Sequence, residues 1–132
     1  MKTIVTSGKR KRAIATASLK AGRGVVRINS LLLENYTPKL AQLKIMEPLI
    51  IAEKYAHKVD IAVSVTGGGF IAQAEAARLS IAKALVAFAN SQELKDTFLK
   101  YDRQLLIADV RRKEPAKPND SKARAKRQKS YR

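Results

Sequence analysis

Beyond Val110 the chain stops offering side chains to a core, and that change limits what it can fold into. In residues 111–132 the only non-charged, non-polar side chains are alanines, prolines and one tyrosine. Such a stretch cannot offset its own ordering entropy by burial. The expected organisation is a globular domain over residues 1–110 and an extended basic C-terminal tail over residues 111–132.

Charge follows the same division. Residues 1–27 carry eight basic and no acidic side chains, residues 28–110 carry nine of each, and residues 111–132 carry ten basic against two acidic, giving +16 for the chain. A neutral middle with positive ends reads as a folded body with basic extensions, and the partner it calls for is polyanionic, most simply nucleic acid. An anionic membrane is the rival partner, but the tail has no Trp, Phe or Leu to insert into an interface. The first residues, "MKTIVTSGKRKR", contain no apolar leader, and no uncharged run approaches the roughly 20 residues of a membrane span, so a cytoplasmic location is expected. There is no cysteine, which excludes disulfides, thiolate metal sites and cysteine nucleophiles.

Period-two alternation marks the strands. Ala13, Ala15, Ala17 and Leu19 alternate with Ile14, Thr16, Ser18 and Lys20. "AGRG" then reads as the turn of a hairpin whose second strand holds Val26 and Ile28. A short strand is expected near Thr3 to Thr6, and the clearest one places Val59, Ile61, Val63 and Val65 on one side and Asp60, Ala62, Ser64 and Thr66 on the other. Thr37 and Pro38 fit an N-cap and first helical residue, with Leu40, Leu43 and Met46 sharing a face and Pro48 kinking or restarting the helix near Ile50. The longest helix is predicted from about Phe70 to Ala89 through Ile71, Ala74, Ala77, Ile81, Leu85 and Phe88. Asn90 with Glu93 resembles a capping box opening a shorter helix through Leu94, Phe98 and Tyr101. The order is β-β-β-α-β-α-α, an α+β fold in which helices cover one face of a mainly antiparallel four-stranded sheet.

Catalysis finds no foothold. The single histidine, His57, sits in a polar connection without a second metal-binding side chain spaced to join it, and the carboxylates of the body form no acid–base pair. No enzyme, metal, cofactor, small-molecule substrate or membrane partner is expected. "VTGGGF", residues 65–70, can present backbone amides to a phosphate, but it lacks the lysine and hydroxyl of a P-loop and the spacing of a dinucleotide fingerprint. Either the three glycines merely permit a tight turn or they touch an RNA phosphate.

The run "GKRKR" gathers Lys9, Arg10, Lys11 and Arg12 at a strand entrance and reads as a phosphate-binding edge, though it also mimics an import signal. Arg78 falls within the apolar stripe of the long helix, so it either snorkels or pairs with a carboxylate, or it marks an edge open to RNA. Arg111, Arg112 and Lys113 continue the basic character out of the body. In the tail, Lys117, Lys122, Arg124, Lys126, Arg127, Lys129 and Arg132 recur every few residues, suited to successive phosphates, and Tyr131 offers a stacking surface. Sixteen extended residues reach roughly 50 Å.

Four ordered blocks, "SGKRKRAIATASLKAGRGVVRIN", "VSVTGGGFIAQAEAARLSIAKAL", "LLIADVRRKEPAKP" and "KARAKRQKSYR", resemble the universal ninth-protein family of the small ribosomal subunit, and the ending "RQKSYR" resembles its archaeal and eukaryotic branch. The resemblance implies a non-enzymatic protein of the small-subunit head that binds ribosomal RNA through Gly67, Gly68, Gly69, Gln73, Arg78 and the basic edges. It also implies a tail that ends with Lys129, Ser130, Tyr131 and Arg132 near the anticodon stem-loop of peptidyl-site tRNA. Neighbouring head proteins would be further partners. The implied fold is that of the second domain of the fifth small-subunit protein, with a left-handed β-α-β crossover. The chain departs from the family at Ala72, where glycine is usual, and at Asn119 and Asp120, which replace glycines of the tail. A free nucleic-acid chaperone without a ribosomal address is the alternative.

Overall fold

A computed structural model describes residues 2–116 of the chain. Strand β1 (Ile4–Arg10) pairs antiparallel with β2 (Ala13–Ala21), and β2 pairs antiparallel with β5 (Val59–Thr66). The far side of β5 carries β3 (Val26–Ile28) in parallel, and β3 pairs antiparallel with the two-residue β4 (Leu31–Leu32). The sheet order is β1-β2-β5-β3-β4. The expected four-stranded sheet is thus five-stranded and mixed, the parallel β3–β5 pair being joined by a β-α-β connection through α1 (Lys39–Ile51) and α2 (Glu53–Ala56). Helices α3 (Phe70–Ala89) and α4 (Gln92–Tyr101) follow.

The hairpin expected at "AGRG" does not form. The Gly22 amide donates to the Lys58 carbonyl, the Gly24 amide to the Val59 carbonyl, and the Ile61 amide to the Val25 carbonyl, so the loop rounds the start of β5 and delivers the chain to its other edge. The Asp60 carboxylate fixes this detour by accepting the backbone amides of Arg23 (2.9 Å) and Val25 (3.0 Å). The actual hairpins turn at Lys11–Arg12 and at Asn29–Ser30. Asn29 (φ 50°) and Ser30 (φ 70°) both adopt the left-handed conformation that a two-residue hairpin loop demands. The Asn29 side chain also imitates another strand residue, exchanging bonds with the Val65 amide (2.8 Å) and carbonyl (3.2 Å).

The period-two faces are as the alternation predicts. Ala13, Ala15, Ala17 and Leu19 of β2 and Val59, Ile61, Val63 and Val65 of β5 are buried under the helices, while Ile14, Thr16, Ala62 and Ser64 face away from them, exposed. Helix α3 rests on β1, β2 and β5 and is backed by α1 and α4. It is therefore buried nearly all round between Ala72 and Leu85 rather than along one stripe. Its alanines permit this close seating, and so does β1: a Cβ on Gly8 would lie 2.4 Å from the Ala76 carbonyl oxygen and 2.9 Å from the Ser80 amide. Thr6 donates its hydroxyl to the Ser80 carbonyl at 2.7 Å across the same seam.

Several local expectations are corrected. In α1 the buried residues are Ala41, Ile45 and Pro48, whereas Leu40 and Leu43 are half exposed, and Pro48 is accommodated inside a helix that continues to Ile51. Pro38 occupies the N-cap position without a side-chain cap. Asn90 is the left-handed C-cap of α3, and Ser91 caps α4 by accepting the Leu94 amide. Leu94 and Phe98 anchor α4 in the core; Tyr101 is exposed. Complete burial of a side chain the size of Phe98 contributes about 2 to 3 kcal/mol.

Candidate nucleic-acid interface

Three segments distant in sequence meet at one end of the sheet. The β1–β2 hairpin tip projects Lys11, at φ 54°, and Arg12. The glycine turn after β5 packs beneath that tip, and the segment after α4 returns alongside with Arg111, Arg112 and Lys113. Together they line an open groove of about 810 Å³ whose floor includes Gly68, Gly69 and Ala72.

Glycine is required in the turn. Gly67 has φ +78°, and a Cβ there would sit 2.4 Å from the Arg12 carbonyl oxygen, so the turn and the hairpin tip are in backbone contact. Gln73 braces the turn from one helical turn away, donating its amide to the Gly67 carbonyl at 3.0 Å. Gly69 is the N-cap of α3 and offers no side chain to the first helical amides, and the first turn of the helix has no acidic residue. The positive end of a 20-residue helix therefore opens beside the basic groove.

Carboxylates behind the groove decide which cations are held. Arg10 pairs through Nε with Glu75 at 2.7 Å and through a terminal nitrogen with Asp109 at 3.3 Å; Lys44 reaches the other Glu75 oxygen at 3.4 Å. Asp109 accepts the Arg111 side chain (2.8 Å at its closest) and the Arg111 backbone amide (3.0 Å). These Arg111 hydrogen bonds, helped by the charge of Arg10, hold the Asp109 carboxyl well below the usual carboxylate range, and the same Asp109 hydrogen bond and negative charge raise the Arg111 guanidinium above its own. Lys11, Arg12 and Lys113 have no carboxylate partner among the described residues. Two ammonium groups and one guanidinium thus face solvent over a scaffold that has neutralised Arg10.

The sequence-derived candidates separate accordingly. Arg10, Lys11, Arg12, Gly68, Gly69, Arg111, Arg112 and Lys113 are brought together in one groove. Gly67 and Gln73 shape its floor. Lys9 is exposed and pairs across the hairpin with Ile14, outside the groove lining. Arg78 is 9 % exposed, held by Glu47 and by Asp102 (3.0 Å), so it sits inside the protein and not at an open edge. Its pairing is the carboxylate alternative raised by the sequence. Lys117, Lys122, Arg124, Lys126, Arg127, Lys129, Ser130, Tyr131 and Arg132 lie outside the described residues.

Sequence reasoning missed Glu75 and Asp109. A signal existed: carrying the inward alternation of β2 across the hairpin places Arg10 opposite Ala13 on the core side, where a guanidinium needs counter-charges. Among the described residues no cluster of His, Cys, Asp or Glu could hold a metal ion, and no helix is long and apolar enough to cross a membrane. His57 is exposed and lies 3.4 Å from Glu53 one helical turn earlier.

Residues 8–132 match the family described as Ribosomal protein S9/S16. Proteins called "Small ribosomal subunit protein uS9" from Methanococcus maripaludis strains C7 and C5 are each 48% identical over 134 residues, covering 100% of this chain and 100% of the relative. A third, from another strain of the same organism, is equally similar over the same span.

Proposed function

The chain belongs to the ribosomal protein S9/S16 family, and from that membership we propose that its basic groove binds ribosomal RNA while its tail supports tRNA in the peptidyl site. As a family member it is a structural constituent of the small ribosomal subunit and not an enzyme. The observation that carries the RNA reading is the groove itself. Lys11, Arg12 and Lys113, without a carboxylate partner among the described residues, a guanidinium oriented by Asp109 and the amides of a helix N-terminus that no side chain caps converge on one open surface. A phosphate backbone meets donors there from three directions, none of which reads base identity. Departure of glycine at position 72 leaves the groove open, since Ala72 is 9 % exposed and lines the floor with only a methyl group.

Residues 1–110 act as the RNA-binding body and residues 111–132 as the tail, consistent with Leu105 closing the last helix or strand among the described residues and with the 82% exposure of Val110. The parallel β3–α1–β5 unit is taken to have the left-handed crossover of the family. In the tail, Lys129, Ser130, Tyr131 and Arg132 approach the tRNA anticodon stem-loop. Neutralisation of phosphate is the mechanism, and no bond is made or broken.

Small subunits reconstituted with the whole chain or with a chain lacking residues 129–132 test both halves. Photo-crosslinking from position 12 should mark ribosomal RNA, and the truncated particles should hold peptidyl-site tRNA about five- to thirty-fold more weakly, the equivalent of about 1 to 2 kcal/mol for charge-assisted contacts. Crosslinks spread over unrelated RNA and DNA would instead favour a free chaperone, and unchanged tRNA affinity would remove the role of the tail.

A further inference from the structure

A second groove lies at the other end of β5 and the opposite edge of the sheet from the basic one. It runs between β3–β4 and the α1–α2 helices and has a volume of about 520 Å³. Val26, Leu33, Met46 and Leu49 form its floor, and Val25, Leu32 and Ile50 stand at its mouth, 39%, 37% and 63% exposed. Single exposed aliphatic residues need no explanation, but here they are contiguous across two layers of the fold.

The charge at this groove is the reverse of the molecule's. The chain has 27 basic and 11 acidic residues, yet among the described residues no lysine or arginine lines the groove; its charged members are Glu34 and Glu53. Both carboxylates belong to exposed residues, and among the described residues the Glu53 carboxylate meets only His57, at 3.4 Å. Such a rim repels phosphate, and an apolar floor offers nothing to a sugar–phosphate backbone. β4 is moreover the sheet's edge, two residues long, with its outer backbone groups turned away from β3.

We propose that this groove seats a segment of another protein of the small subunit, one that brings two or three aliphatic side chains to the floor and lysine or arginine to Glu34 and Glu53. This rests on the ribosomal assignment of the chain. Proteins that share a particle with RNA are rich in basic segments, and a basic segment that also buries aliphatic groups finds both requirements here and not at the cationic groove. The chain is thereby two-sided, with nucleic acid at the Lys11–Arg12 end and protein at the Glu34–Glu53 end.

The test uses purified small subunits assembled with full-length chains carrying benzoyl-phenylalanine in place of Ile50 or, separately, of Arg12. Position 50 is well exposed, so the probe leaves the core untouched. The expected result is that the position-50 probe links to a peptide of another subunit protein containing aliphatic and basic residues, and that Glu34→Lys with Glu53→Lys lowers the yield at least five-fold. Linkage to RNA, linkage to a peptide without basic residues, a yield indifferent to the charge reversal, or no linkage in particles that contain the chain would each overturn the proposal. The position-12 probe reports the ribosomal reading separately: a chain absent from the particles, or one whose position 12 fails to reach RNA, would sink that reading first.

Discussion

Replacing Gly67 with alanine tests whether the glycine turn and the cationic hairpin tip are one mechanical unit. Two costs can be worked from the structure. At φ +78° an L-residue loses about 1 to 2 kcal/mol relative to glycine. The added methyl would also lie 2.4 Å from the Arg12 carbonyl oxygen and 3.3 Å from its carbon, and forcing a carbon into such a space costs about 1 to 3 kcal/mol. The obstacle is backbone, so no rotamer change relieves it. Lower entropy of the unfolded alanine chain returns up to about 1 kcal/mol. The net loss is then about 3 kcal/mol, a large part of the roughly 5 to 15 kcal/mol available to a domain. Urea unfolding of the full-length chain measures it as a lower midpoint at unchanged slope.

Gly69→Ser is the matched control two residues away. Gly69 has φ −90°, ψ 172° and nothing within 4 Å of an added Cβ, and a serine hydroxyl there can accept an open helical amide, so stability should rise by a few tenths of a kcal/mol. In RNA binding the two should diverge again. The Gly67 variant must displace the Arg12 carbonyl to fold at all, which misplaces the hairpin cations. A Gly67→Ala chain within about 0.5 kcal/mol of the parent, or a Gly69→Ser chain equally damaged, would refute the coupling.

Changing Lys11, Arg12 and Lys113 together to alanine should lower the slope of log K against log salt for ribosomal RNA by about 2 to 3, near 0.9 per duplex phosphate contact, in filter binding across a salt series. Arg78→Ala should cost about 2 to 4 kcal/mol in unfolding experiments, because it leaves Glu47 and Asp102 without their shared cation, yet leave the RNA affinity of the folded chain unchanged. The Asp109 carboxyl titrates below its ordinary range in the folded chain, so its stabilisation is present above the unfolded value near pH 4 and is lost as pH falls further. Asp109→Asn should therefore flatten the decline in stability below about pH 4 in an acid titration. Asp60, lowered by the Val25 and Arg23 amides, should show the same sign.

The strands and their inward faces were legible because period-two alternation is local: Ala13 to Leu19 and Val59 to Val65 state which side chains are buried without reference to any partner. Pairing was not. "AGRG" has hairpin composition, and only the insertion of β5, nearly forty residues later in the chain, separates β2 from β3. Capping residues of a neighbouring strand, such as Asp60 on the Arg23 and Val25 amides, leave no periodic trace. For α1 the spacing of Leu40, Leu43 and Met46 suggested a core face, but the helix is turned so that Ala41, Ile45 and Pro48 are the buried residues where it packs on α3. The basic groove was partly legible as a charge run at residues 9–12, and its third wall was legible only as composition.

Residues 28–110 have no net charge, and the sequence therefore describes the body as neutral. Folding redistributes that neutrality. Glu75 and Asp109 turn toward Arg10, and Glu47 and Asp102 toward Arg78, so four of the nine carboxylates are used behind the surface to hold two largely buried guanidinium groups. Lys11 and Arg12 at the hairpin tip and Lys113 then face solvent with no carboxylate partner among the described residues, while Glu34 and Glu53 remain outward at the far edge. A chain whose acidic residues were spread evenly would present a weak positive field everywhere. This one concentrates its positive field at the end where the glycine turn opens helix amides, and leaves the opposite edge apolar and acidic. The location of the counter-ions, more than the number of lysines and arginines, determines where a polyanion can dock.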